Sequence, residues 1–471
     1  MGDLCKSFDL SGGLYSTTRR NAKSPAHKRS GRLTITVLLL FYICFFSLPA
    51  QAKYGGGTGE PNDPYLIYTA EQMNAIGADS NDWNKCFMLM ADIDLGGYVG
   101  TDFNIIGYYI SSTDNKAFTG VFDGNGHAIL NFSFTSTGRD YIGLFGHVSD
   151  PNAEIKDLRL IDPNVDAGTG WHFGLLVGCL EHGTIIGCCV YGGSISGEYD
   201  IGGLVGDNGG FITGSNSSAS VSGVNRVGGL VGVNNGVISH CHSNGAVLNG
   251  GPVGGIVGVN IDGTITNCSS SGSVSGDQGV AGLAGANGGT ITNCYSSASV
   301  SGAVVVGGLV AFNNSTITNC YAVGTTYGSG MVGGLVAHNN GGTIVSSFWD
   351  VNTTGQTTSA GGTDKTTAEM QMQSTFTNAG WDFVGETANG TDDIWDICEG
   401  MNYPRFLWQI PIADFLCPDG VDFADFSFFA GHWQEDNCGA SNDCEGTDLD
   451  QLGTVDTNDL GIFVDNWLAG L

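Results

Sequence analysis

The phrase Gly-Leu-x-Gly, or a near variant, recurs through the middle of the chain with its Leu or Ile at positions 144, 176, 204, 230, 256, 283, 309 and 335. The spacings are 32, 28, 26, 26, 27, 26 and 26 residues. Two other rows keep the same step: Asn208, Asn234, Asn260, Asn287, Asn313 and Asn339, and Cys188, Ser215, Cys241, Cys268, Cys294, Cys320 and Ser347. Each unit reads as short apolar stretches, such as Val227–Val233 and Val237–Cys241, separated by Asn-Asn-Gly, Asp-Gly or Gly-Gly turn signals. A unit this short cannot bury its own apolar face. Stacking copies so that residue i lies over residue i+26 buries a continuous core, with coils paired at roughly 4.8 Å. The expectation is an all-β chain folded as a parallel β-helix, or solenoid, with coils of about 26 residues and helical caps. A propeller blade needs roughly 40 residues, which the shorter period argues against.

The rows carry their own chemistry. Glycine beside the Leu lets the chain turn where a Cβ would strike the coil above. Stacked Asn amides bond along the axis. The Cys row is read as small buried free thiols, because a disulfide between coils would draw Cβ atoms closer than strand spacing provides. Residues 68–77 carry a capping-box pair, Thr69 and Gln72, and are expected to form a short helix over the first coil. The solenoid is assigned to residues 53–350. Its C-terminal cap is assigned to 351–410, with a second capping pattern at Thr366–Met370 and an aromatic-rich stretch, Trp381–Trp408, sealing the last coil.

With 77 Gly and only 13 % charged residues, the chain is too glycine-rich for a helix bundle, and its Val, Ile, Leu and Phe content argues against disorder. A formal charge of −30 excludes nucleic acid or anionic lipid as an electrostatic partner. Residues 1–32 hold seven basic side chains directly ahead of the apolar run Leu33–Leu48, which is followed by Ala50-Gln51-Ala52. That order is a secretory signal peptide, so no membrane span is expected after cleavage and the mature chain is secreted or held at the cell surface.

No Lys or Arg occurs after Arg405, and the acidic tail is duplicated: Val421–Trp433 and Val455–Trp467 match at an offset of 34. Each half begins with spaced aspartates and continues as an apolar run, the logic of a loop–helix Ca²⁺ unit. In the second loop Asp448, Asp450, Asp456 and Asp459 occupy positions 1, 3, 9 and 12, with the Thr454 carbonyl at position 7 and Gly453 at the sharp turn. Leu452 stands at position 5, where Asp or Asn is usual. In the first loop Asp422 and Asp425 hold positions 9 and 12, Gly420 comes one place late, and Asp414 and Asp419 are further candidate ligands. Cys438 and Cys444 bracket a short loop and are expected to pair, with Cys398 and Cys417 a second candidate pair.

Two resemblances emerge from these residues. Gly143–Gly146, Gly203–Gly206 and Gly229–Gly232 resemble the GLUG motif, found in tandem in bacterial secreted and surface proteins. The tail, residues 411–471, resembles the dockerin duplication. That resemblance implies a small α-helical calcium module docking to a cohesin-type domain or a cell-surface component. Phe423, Ala424, Thr457 and Asn458 would lie where dockerins present recognition residues.

Between residues 201 and 349 the charged side chains are Asp207, Arg226, Asp262 and Asp277, and no carboxylate pair stacks at the coil period, so the regular coils read as catalytically empty. Asp92, Asp94, Asp102, Asp123 and Arg139 in the early coils read as turn caps. His240 and His242, flanking Cys241, read as surface residues. The function expected is a non-catalytic exported solenoid for adhesion or glycan binding, docked by its calcium-dependent tail. The alternative is a polysaccharide lyase or glycoside hydrolase using Asp92, Asp94 or Asp123.

Overall fold

The computed structural model describes residues 53–416, 420–436, 438 and 442–467. The signal peptide assigned to residues 1–52, and Cys417 and Asp419, lie outside them.

Residues 65–350 wind as a parallel β-solenoid bounded by three sheets of 17, 11 and 13 strands, the last strand of the second sheet being Thr363–Lys365. Every pairing between successive coils is parallel. Val231 faces Val257, which faces Ala284, then Val310 and Val336. The row that defines the period is vertical: Leu204 N–H donates to the Leu230 carbonyl at 2.9 Å, Leu230 to Ile256 at 3.1 Å, and Ile256 to Leu283 at 2.9 Å. All of these side chains are fully buried. Their flanking glycines are required by close approach, since a Cβ on Gly229 would collide with the Gly255 carbonyl of the next coil.

The other two rows are also ladders. Asn208, Asn234, Asn260, Asn287 and Asn313 are fully buried at strand ends, and each donates its Nδ2 to the Oδ1 of the Asn one coil on, at 2.7 to 2.9 Å. The cysteines of the third row are buried and free. Cys241, Cys268, Cys294 and Cys320 each donate Sγ–H to the carbonyl two residues back, and Ser215 and Ser347 make the same bond with Oγ. Serine thus substitutes without a change of design. The residue ahead of each member turns the corner in the left-handed region, φ 47° to 60°, at Gly187, Gly214, His240, Asn267, Asn293, Asn319 and Ser346. Glycine and asparagine predominate there because they tolerate that conformation.

The helix Ala70–Ala78 covers the first coil with Met73 and Ile76, both fully buried. Thr69 Oγ1 accepts from Gln72 N, while Gln72 Oε1 accepts from Tyr68 N, so the reciprocal bond lands one residue early.

The C-terminal cap departs from expectation. The last coil is closed by Trp349, whose indole packs into the core, and by residues 356–363, which add backbone bonds from Gly334 N to Thr358 O and from Ala360 N to Val336 O. The aromatic stretch does not seal the end; it runs back along the flank of the second sheet. Tyr295, Tyr321 and Phe348 stand in register on the outside of three consecutive coils. Trp381, Trp395 and Phe406 cover these outward rings in a second apolar cluster. Beyond it, Trp408 reaches His240 at 6.1 Å and Gln409 Nε2 donates to Ser269 Oγ at 2.8 Å. His242 is therefore half-covered by this segment, and His240 occupies the left-handed corner, so the two do not form one open face.

Residues 413–467 form a small, mainly helical unit with a core of its own. Cys438 and Cys444 are bonded as expected. Cys398 is also disulfide-bonded.

Candidate functional sites

The helices Phe423–Gly431 and Thr457–Asp465 repeat the sequence duplication in space. Each opens with an N-cap aspartate, Asp422 or Asp456, whose Oδ1 accepts from the amide two residues on, and Asp425 or Asp459 accepts from the N-cap amide in return. Phe429 and Phe463 stack at 5.2 Å between the halves.

The second loop gathers carboxylates. Asp448, Asp450 and Asp459 each bring one oxygen within 4.8 Å of the others. Asp448 and Asp459 are 2 % and 0 % exposed. Asp448 Oδ2 accepts from Gly453 N at 2.8 Å, whereas its Oδ1 is buried and has no hydrogen-bond donor. Like charges at that separation repel by roughly 3 kcal/mol per pair at an effective dielectric of 20. With no Lys or Arg after residue 405, the tail itself supplies no such cation. An all-oxygen, multiply anionic donor set of this kind fits a hard divalent cation such as Ca²⁺. Asp456 is engaged as the N-cap, and Thr454 lies in an antiparallel bridge with Asp436.

The first loop reproduces the scaffold with fewer acids. Asp414 Oδ2 accepts from Gly420 N as Asp448 does from Gly453. Asp425 Oδ1 accepts from Phe415 N and Leu416 N as Asp459 Oδ1 does from Asp450 N. The late glycine is thus accommodated, but Leu416 stands where the second loop has Asp450. Asp422 is the N-cap, so Asp414 and Asp425 remain as the two described ligand candidates of this loop. The recognition candidates Phe423, Ala424, Thr457 and Asn458 are all exposed at the helix starts. Phe423 is 78 % exposed and meets Trp467 edge-on at 5.0 Å.

On the solenoid, Asp94 accepts from Gly96 N and Asp123 from Asn125 N, each bonding a turn amide two residues on, whereas Asp92 is not a turn cap: it accepts from Ala128 N at the start of the strand Ala128–Leu130.

The residues that do converge are others. Tyr141, His172, Asp200 and Arg226 form one column on successive coils, each in the left-handed region at φ 55° to 65°. Arg226 Nε lies 2.6 Å from Asp200 Oδ1. His172 Nδ1 lies 3.2 Å from Asp200 Oδ2 and 3.5 Å from Asp207 Oδ2. Burial pushes the Asp200 carboxyl up to about 7, outweighing the nearby guanidinium, and likewise raises Asp207 and holds His172 down. Trp171 and Tyr199 stack at 4.3 Å beside this column, and Arg226 lies over the Trp171 ring. His147, paired with Glu181 at 3.1 Å, continues the polar face into a cavity of about 640 Å³ lined also by Trp83, Tyr109 and Lys116. This column lies beside the stretch 201–349 that the sequence marks as sparse in charge. Asp200 stands one residue before that stretch, and its partners come from neighbouring coils at a different phase from the Asn row. A signal was present: each member of the column stands three or four residues ahead of its row Leu.

Residues 249–275 match the family model described as the GLUG motif. Over 156 residues, 32 % of its length, the chain is 33 % identical to Halomucin of Haloquadratum walsbyi, covering 2 % of that protein. Over 132 residues, 27 % of its length, it is 32 % identical to a provisionally named Gly-rich membrane protein of Evansella cellulosilytica, covering 14 % of it. The chain spans only a small fraction of these curated relatives. A solved structure, that of a provisionally named immunoglobulin A1 protease from Bacteroides ovatus, aligns at 21 % identity with a TM-score of 0.38, over 76 % of this chain and 96 % of that one.

Proposed function

We propose that this protein is an exported, non-catalytic β-solenoid for adhesion or glycan binding, tethered to a partner by a calcium-dependent, dockerin-like tail. The observation that carries the tether is the buried, unpartnered Asp448 oxygen among three converging carboxylates. Asp448, Asp450 and Asp459 would hold Ca²⁺ in the second loop, with Asp414 and Asp425 a weaker set in the first. Bound calcium would neutralise the loops and fix both helices, presenting Phe423, Ala424, Thr457 and Asn458 to a cohesin-type domain. A surface location is supported by the names of the matched relatives, Halomucin and a provisionally named Gly-rich membrane protein. No helix among the described residues is long and apolar enough to cross a membrane. The test is retention of the chain on immobilised cohesin-type domains with calcium and after chelation, alongside a glycan array. Retention that ignores chelation would refute the tether, and an array with no bound glycan would refute glycan binding.

A second reading, cleavage of a polysaccharide, is supported by the ionisable column, where two carboxylates face one imidazole beside an aromatic stack. It predicts release of reducing or unsaturated sugar ends that Asp207→Asn abolishes. A panel of polysaccharides yielding none would remove it.

A further inference from the structure

We infer that the groove between the second sheet and the returning segment 402–409 is a subsite for an anionic sugar, with Arg405 meeting its carboxylate or sulfate. This rests on the glycan-binding reading above and names its ligand class.

After residue 52 the chain has nine Lys and Arg side chains. Lys53, Lys85, Lys156, Arg226 and Lys365 pair with carboxylates. Lys116 donates to Ser80 Oγ, Arg159 donates to the Gly126 carbonyl, and Arg139 lies over the Phe134 ring. Arg405 alone has no side-chain hydrogen bond, ion pair or ring contact among the described residues. It is half-buried, so its donors remain available in a confined place.

That place is a groove of about 640 Å³, a size usual for small-ligand clefts. Its described lining contains no carboxylate, although the chain is strongly acidic. Asp350, bonded to the Tyr403 hydroxyl, is fully buried. The wall consists of hydroxyls, amides and an imidazole held by a chain of hydrogen bonds. Tyr295 Oη donates to Gln409 Oε1 at 2.8 Å, and Gln409 Nε2 to Ser269 Oγ at 2.8 Å; His242 joins Ser269 Oγ at 2.9 Å and Ser271 Oγ at 3.2 Å. Such a wall is preorganised for a polyhydroxylated ligand. Burial disfavours the charged form of His242, and Arg405 is the cation of the described lining. A guanidinium offers a planar fork that takes a carboxylate or a sulfate through two parallel bonds. The chain's net negative charge does not forbid this, because charges beyond about 8 Å are screened at physiological ionic strength.

The test is calorimetric titration of the full chain with oligogalacturonate, a sulfated carrageenan oligosaccharide and a neutral xylo-oligosaccharide. At least one anionic ligand binds more tightly than the neutral one, and the two anionic arms separate carboxylate from sulfate. Arg405→Gln weakens that binding about tenfold or more, the loss of one charge-assisted contact. Asn244→Asp, at the exposed rim, weakens it too by adding a carboxylate, with unchanged thermal melting. Unchanged anionic affinity in both variants overturns the inference, as does preferential binding of the neutral sugar, which would leave glycan binding itself standing. Failure of all three ligands to bind overturns the inference, while the glycan array decides the glycan-binding reading separately.

Discussion

Asn234 Nδ2 donates to Asn260 Oδ1 at 2.8 Å, and both side chains are fully buried. Asn260 in turn donates to Asn287, so each inner amide is acceptor to one coil and donor to the next. Asn260→Ala removes both links and strands a buried donor and a buried acceptor. The expected loss is about 1–3 kcal/mol, read by chemical denaturation. Asn339→Ala, at the partly exposed end of the ladder, is expected to cost less.

Leu230 lies between Leu204 and Ile256 with no exposed surface. Leu230→Asp places an unpaired carboxylate in that stack and is expected to destabilise the solenoid by several kcal/mol. Unchanged thermal melting would contradict the inward assignment.

The ladder thiols are predicted to be inert. Burial raises the thiols of Cys241, Cys268 and Cys294 well above the ordinary range, which suppresses the reactive thiolate. Alkylation of the native protein should spare all five ladder cysteines and modify them once it is unfolded. Cys268→Ser should be tolerated, because Ser215 already makes the same bond in the same row. Rapid native alkylation of Cys268 would show that the row is not sealed.

Asp200 gives a pH signature of known sign. Burial lifts its folded-state value to about 7, above the 3.8 usual for an aspartate, so between those limits the folded state binds the extra proton. Asp200 therefore contributes stability at acid pH that is lost as pH rises from about 4 to 7. Compared with Asp200→Asn, the wild-type melting temperature should fall across that window and run parallel above it. A constant difference from pH 4 to 8 would contradict the assignment.

The solenoid was legible because its period repeats one physical demand, a vertical contact, at the Leu, Asn and Cys rows. What escaped was chemistry that depends on neighbouring coils at other phases. Tyr141, His172, Asp200 and Arg226 are four different residue types, so they do not register as a repeat although they share one corner. The course of the aromatic stretch escaped for a related reason: Tyr295, Tyr321 and Phe348 alternate outward, and only the fold shows that the rings they need come from residues 376–406. In the tail, the spacing rule picked out Asp448, Asp450 and Asp459, whose carboxylates converge in the fold. It did not distinguish Asp456, whose oxygen is engaged as a helix cap.

Isothermal titration of the full chain with Ca²⁺ tests the tethering claim most directly. The wild type should give saturable heat, and Asp448→Ala combined with Asp459→Ala should remove the second-loop contribution while the solenoid's melting is unchanged. Calcium heat of the same size in the double variant, or none in the wild type, would contradict the account.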